Sequence, residues 1–199
     1  MNELSVLREL LLRDRSVRRF TQKPVSVESL KEIVDLVRYC ASGANRQPLV
    51  YMIATDKEIV DRLYPALKWA GYYEDWDGPA PGERPVAYIV QALDTRIAAN
   101  PLCDDGIQLQ AVTLGATALG LGACIIKSFS PQAVKEIFDL PEDIQPRYVV
   151  ALGYPAERTA VVDQKNSSDI KYYRDADDCQ CVPKRSLESI ILSIDKHGL

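Results

Sequence analysis

GIQLQAVTLGATALGLGACII, residues 106–126, decides what kind of fold this chain can adopt, because it runs for 21 positions without a charged side chain. A membrane-spanning helix needs about 20 apolar residues, so the length alone would permit one. The side chains argue otherwise. Gln108, Gln110, Thr113 and Thr117 are spread through the stretch, together with Gly106, Gly115, Gly120 and Gly122. The tail, GACII, reads as a turn feeding a short apolar strand. The stretch is therefore expected to be a buried helix over about 103–119 followed by a buried strand over ACII. A helix apolar on every side must be wrapped by other elements, and the rest of the chain supplies them.

Working outward, VAYIVQAL (86–93) and LVYMIA (49–54) are continuous apolar runs of strand length, and RYVVALGYP (147–155) is a strand closed by a glycine turn. Leu4, Leu7, Leu10 and Leu11 recur at helical spacing over residues 3–14. Ser26 is placed to cap a second helix carrying Leu30, Ile33, Val34 and Val37, and Thr55 or Asp56 caps a third through Val60 and Leu63. Ser130-Pro131 opens a further helix, SPQAVKEIFDL. GYYEDWDGPAPGERP (71–85) is a loop or lid. From Asp163 the chain is polar and reads as extended, with YYRDADD as a turn and a short apolar helix at 187–194. The expected class is α+β in one domain, 1–199: a small, mostly antiparallel central sheet flanked by helices around a buried central helix, with 163–199 as a C-terminal arm.

Composition removes several functions. With 24 basic and 28 acidic residues the net charge is −4, which argues against nucleic acid or an anionic membrane as the main partner. The first residues lack the apolar run of a signal peptide, so a cytoplasmic setting is expected and the five cysteines are expected to be free thiols. The single histidine, His197, stands two residues from the end, which argues against His-based acid–base catalysis and His-rich metal sites. Cys179-x-Cys181 lacks a second ligand pair and reads as two solvent-near thiols, with no metal. Gly115, Gly120 and Gly122 do not form a dinucleotide loop, because they close a helix where the fingerprint needs a strand before and a helix after.

Against this acidic background RDRSVRRF (13–20) concentrates Arg13, Arg15, Arg18 and Arg19. Arginine offers a planar fork of donors that matches a phosphate, and Ser16 adds a hydroxyl. A solvated basic helix end would read the same way. Lys184 and Arg185 in PKRSLESII form a second basic pair. In SGANRQP (42–48), Asn45 and Gln47 are amides able to present donor and acceptor to the edge of a heterocycle, although an Asn-containing turn before a strand is common.

Taken together, RDRSVRRF, SGANRQP, the pair GIQLQAVTLGATALGLGACII and KSFS, ALGYPAE, and the tail YYRDADD…VPKRSL resemble the nitroreductase family of FMN-dependent oxidoreductases, in the family's order and spacing. The resemblance implies a nitroreductase-like fold and assigns roles by position. Arg15, Ser16 and Arg18 would grip the FMN phosphate and ribityl chain, and Lys184 and Arg185 would close on the same phosphate. Ala41, Ser42, Asn45 and Gln47 would line the isoalloxazine, commonly from the partner subunit. Lys127 and Ser128 would direct a backbone N–H at flavin N5. Asp14 departs from the family pattern, since many members carry a basic residue there.

The resemblance further implies a homodimer whose C-terminal arm reaches the partner subunit. It implies a ping-pong reaction in which NAD(P)H reduces FMN and a small aromatic or quinone-type acceptor reoxidises it. The flavin carries the chemistry, so no catalytic side chain is expected. Tyr72, Tyr73 and Trp76 are candidates to stack on a flat substrate, or the loop packs on its own aromatics. A non-catalytic FMN-binding protein, for storage or redox sensing, is the alternative function.

Overall fold

The computed structural model describes residues 2–73 and 75–193, and His197 lies outside them. The chain divides into two compact units, Met1–Ala156 and Glu157–Leu199.

The first unit runs α1 (Glu3–Arg13), α2 (Val27–Val37), β1 (Leu49–Ala54), α3 (Lys57–Leu63), β2 (Ala87–Asp94), α4 (Asp104–Ala118), β3 (Gly122–Ile126), α5 (Pro131–Phe138) and β4 (Ile144–Gly153). The four strands form one sheet in the order β1-β2-β4-β3, every pairing antiparallel. Side chains alternate along a strand, so one strand feeds two cores. On β2, Tyr88 and Val90 join one core with Val60 and Leu63 of α3 and Val134 of α5. Ala87 and Ile89 join the other with Leu30, Ile33 and Val37 of α2 and Leu109, Val112 and Ala116 of α4. Helices thus cover both faces, which explains why the strands are apolar throughout instead of alternating with polar residues. The helix starts are fixed as the sequence suggests, with the side chains of Ser26, Asp56 and Ser130 accepting backbone N–H groups at α2, α3 and α5. Among the described residues no helix is long and apolar enough to cross a membrane.

Two features differ from expectation. The fourth strand begins at Ile144, earlier than the expected 147, and contains Pro146. Proline fits because β3 pairs only with residues 149–153, leaving that part of β4 an edge. The register slips by one between Gln91 and Ala92, so Arg147 bulges out and its guanidinium reaches Asp105 on α4 at 2.9 Å. Helix α1 is amphipathic as expected, yet none of its residues is buried, and Leu4, Leu7 and Leu11 are exposed.

In the second unit, β5 (Thr159–Asp163), β6 (Tyr173–Arg174) and β7 (Gln180–Lys184) form a three-stranded sheet in the order β5-β7-β6, followed by α6 (Leu187–Ile190). The stretch expected to be extended from Asp163 therefore turns back, and β7 lies parallel to β5 with Lys184 opposite Asp163. Strands this short and polar carry too little periodicity to be read. All five cysteines are free, as expected, but Cys181 is buried where a solvent-near thiol was expected.

Candidate functional site

RDRSVRRF leaves α1 and is laid down as a strand-like edge rather than a loose loop. Ser16 bridges Ala123 of β3, and the Val17 N–H donates to Ala123 O at 3.0 Å. Farther on, the Phe20 N–H donates to Glu83 O, the Thr21 N–H to Tyr154 O, and Arg19 O accepts from the Ala156 N–H. Two glycines permit this approach. A Cβ on Gly122 would sit 2.7 Å from Val17, and one on Gly153 would sit 3.0 Å from Phe20. Val17 and Phe20 are buried, and the residues between and around them face outward.

Asp14 has a role within the chain. Its carboxylate accepts from Gln110 Nε2 at 2.6 Å and from the Thr113 hydroxyl at 2.8 Å, both on α4. It therefore ties the start of the arginine segment to the central helix. Asp14→Asn is expected to leave FMN affinity within about threefold of wild type while costing up to about 1.5 kcal/mol of stability. A marked gain in affinity would mean that the carboxylate repels the phosphate.

Arg15 is half-buried. One terminal nitrogen donates to Leu11 O at 2.7 Å, and its buried Nε has no hydrogen-bond partner among the described residues. A buried unpaired donor costs about 1–3 kcal/mol, and an anion at this position would satisfy it. Arg18 is also half-buried, its guanidinium 3.5 Å from Ser16 O, and Arg19 pairs with Glu83 at 3.6 Å.

The amide turn is built by α4 from its other end. The Ser42 hydroxyl donates to Asp104 at 2.6 Å, and the Gly43 N–H donates to the other oxygen of the same carboxylate at 2.9 Å. Ser42 Oγ then accepts the Gln47 N–H at 2.9 Å, and Gln47 Nε2 donates to Asn45 O at 3.1 Å. Ala44, Asn45 and Gln47 all have left-handed backbone, with φ of 50°, 53° and 52°. Non-glycine residues in this region cost free energy and persist where the surroundings impose them, often at ligand sites. Ala41 precedes this turn and is exposed. Sequence reasoning did not single out Asp104, which is 1% exposed; the one signal was an acidic pair at a helix start. Asp14 and Asp104 hold the two groups at positions nine residues apart on α4, about 13 Å at 1.5 Å per residue.

Lys127 and Ser128 follow β3. The ammonium of Lys127 donates to Arg147 O at 3.1 Å and lies 4.4 Å from the centre of the Tyr148 ring. Ser128 O accepts the Lys68 N–H at 2.9 Å, which fixes the backbone there. A buried polar chain, also not foreseen, runs beneath: the Tyr51 hydroxyl donates to Gln108 at 2.6 Å and accepts from Gln91 at 3.0 Å. Burial pushes the Tyr51 pKa up, so it stays a neutral donor across the accessible pH range.

The substrate candidates separate. Tyr72 is exposed, whereas Trp76 packs against the core beside α3 and α5 and meets Tyr73 edge-on with ring centres 6.0 Å apart. In the second unit, Lys184 ends β7 and Arg185 follows it, both exposed, and Arg185 Nε donates to the Ser189 hydroxyl at 3.2 Å.

An oriented arginine fork, a strained amide turn and a pinned strand end suit a flavin nucleotide, and comparison with known proteins gives the family. The nitroreductase family model matches residues 12–154. The chain belongs to the nitroreductase family. Its curated relatives include an FMN reductase [NAD(P)H] of Bacillus subtilis (strain 168), 28% identical over 169 residues that cover 73% of this chain and 64% of the relative. Among solved structures, a nitroreductase family protein from Clostridium difficile 630 is 25% identical with a TM-score of 0.62, covering 79% of this chain and 86% of that one. An NADPH:FMN oxidoreductase from Vibrio harveyi, solved with NAD+, shares the fold at 23% identity with a TM-score of 0.63, covering 80% and 73%. Membership brings with it the class expected above, an FMN-dependent NAD(P)H oxidoreductase.

Proposed function

We propose that this nitroreductase-family chain moves reducing equivalents from NAD(P)H to a small, flat, electron-poor acceptor of the nitroaromatic or quinone type, by a ping-pong cycle in a homodimer. The observation that carries the reading is the buried Nε of Arg15, which has no hydrogen-bond partner among the described residues, on the segment that also carries Ser16 and Arg18. Bound FMN supplies the redox chemistry, and the protein supplies orientation, electrostatics and exclusion of water.

The residues divide that work. Arg15, Ser16 and Arg18 bind the phosphate end. Ser42, Asn45 and Gln47 present amide and hydroxyl groups to the ring edge. The turn 41–47 and the arginine segment are fixed to different positions on one helix, which favours a site completed by the turn of a second copy. The uncovered leucines of α1 support a homodimer, since an apolar helix face of that kind marks an interaction surface. The C-terminal arm would reach that partner. Lys127, an ammonium beside the expected ring position, favours negative charge developing on the reduced ring. Tyr72 is the aromatic best placed to meet an acceptor, and Trp76 would hold the loop that presents it.

The test is a visible spectrum of the purified protein with FMN, followed by anaerobic NADH or NADPH and then an acceptor. The expected result is a flavin spectrum that bleaches with the nicotinamide and recovers with a quinone or nitroaromatic. A colourless protein that takes up no FMN would remove the flavin reading. Bound FMN that neither nicotinamide reduces would leave a storage or sensing protein.

A further inference from the structure

The tip of the β6–β7 hairpin gathers Asp175, Cys179 and Cys181, whose donor atoms all lie within 4.8 Å of one another. The chain geometry explains the convergence. Cys179 and Cys181 are two residues apart in extended chain, which puts both thiols on one face. Their sulfurs lie within 4.8 Å of each other. Asp175 precedes the turn and folds over that face: one carboxylate oxygen accepts the N–H groups of Asp177 and Cys179 at 3.0 and 2.9 Å, which turns the other toward Cys181 Sγ at 3.7 Å. Tyr173 stands directly across the ladder from Cys181.

We propose that Asp175, Cys179 and Cys181 bind a thiophilic divalent cation, zinc above all, with a water as fourth ligand. Zinc bound at about 2.3 Å to sulfur and about 2.0–2.2 Å to oxygen sets tetrahedral edges of roughly 3.5–3.8 Å, the spacing seen between Cys181 and Asp175. Two thiolates with a carboxylate select a borderline-soft ion over magnesium or calcium. The backbone N–H groups on Asp175 act as the outer shell that orients a ligating carboxylate. Binding releases one proton from each thiol to solvent as both sulfurs become thiolates, so the cation enters without redox change.

The site answers a structural need. Among the described residues of the second unit only Gln180 and Cys181 are buried, so that unit has almost no apolar core. Strand β6 is two residues long. Small units of this kind are commonly stapled by a metal.

The test uses the full-length protein with FMN, reduced, stripped by chelator and titrated with Zn2+. The expected outcome is one tightly bound zinc per chain, with X-ray absorption showing two sulfur ligands. Cys179→Ser and Cys181→Ser should each weaken zinc binding beyond the roughly 10–100-fold typical of outer-shell changes. Asp175→Asn should weaken it with folding intact, and Cys103→Ser should leave it unchanged. Zinc retained by the Cys179→Ser/Cys181→Ser double variant, a sulfur count other than two, or no binding by the reduced protein would each overturn the proposal.

Discussion

Phe20→Ala is expected to destabilise the protein by about 3–5 kcal/mol and to lower its FMN content with it. Phe20 is fully buried in the core that also holds Tyr88, Leu63 and Val149, and no part of its ring reaches solvent. It sits against Gly153 so closely that the surroundings cannot collapse onto an alanine without moving β4. A cavity would remain, and cavities add to the lost transfer free energy. Total stabilities are about 5–15 kcal/mol, so the loss is a large fraction. The second consequence is local. Phe20 is the far anchor of the segment that carries Arg15, Ser16 and Arg18, and the N–H groups of Phe20 and Thr21 are its last backbone ties. Urea unfolding of protein saturated with FMN, compared with flavin-free protein, separates the two effects. Phe20→Leu, which retains most of the volume, should cost much less. A loss under about 1 kcal/mol for Phe20→Ala would mean that the segment is not held by its aromatic end.

What could be read from the chain beforehand follows from how burial is distributed. The stretch 106–126 was legible because one broad side of α4 is buried in the core, with Gln108, Leu109, Val112, Thr113, Ala116 and Thr117 all covered. The burial all round that its uncharged run suggested is not met within this chain, since Ile107, Gln110 and Ala118 are exposed. The strands β1 and β2 were legible as continuous apolar runs because helices cover both faces of their sheet. The start of β4 was not, because Gln145, Pro146 and Arg147 are polar or strand-breaking, and their pairing depends on a bulge and an edge that exist only in the assembled sheet. The second unit was hidden more completely: Thr159–Asp163 and Gln180–Lys184 pair across a separation no local pattern records.

The site divides in the same way. The arginines and the amide turn announce themselves by composition. What fixes them does not. Asp104 and Asp14 are single carboxylates whose partners lie 61 and 99 residues away in sequence. The meeting of Asp175 with two cysteines depends on a hairpin that no motif announces. Chemistry-bearing residues were visible by type, while the groups that aim them became visible only through the fold.

Arg15→Ala is expected to weaken FMN binding by about 1.5–3 kcal/mol, which is roughly tenfold to more than a hundredfold in affinity. The guanidinium is held half-buried, with one terminal nitrogen on Leu11 O and the Nε unpaired. Stability and binding therefore pull in different directions. Without FMN, alanine removes an unsatisfied buried donor and loses one hydrogen bond at the end of α1, so the flavin-free protein should unfold within about 1 kcal/mol of wild type. With FMN, the same substitution would remove the charge-assisted contact proposed for Arg15, with nothing to replace it. Arg15→Lys keeps the charge but not the planar fork, and should fall between the two. Raising salt should narrow the gap between Lys and Ala, because the long-range part of the attraction is screened while the geometry of the fork is not. Fluorescence titration of FMN into flavin-free protein reads all three affinities, and denaturation of the same samples reads stability. Equal FMN affinity in all three would take Arg15 out of the phosphate site. A parallel loss of stability and affinity in Arg15→Ala would make it a structural residue of α1.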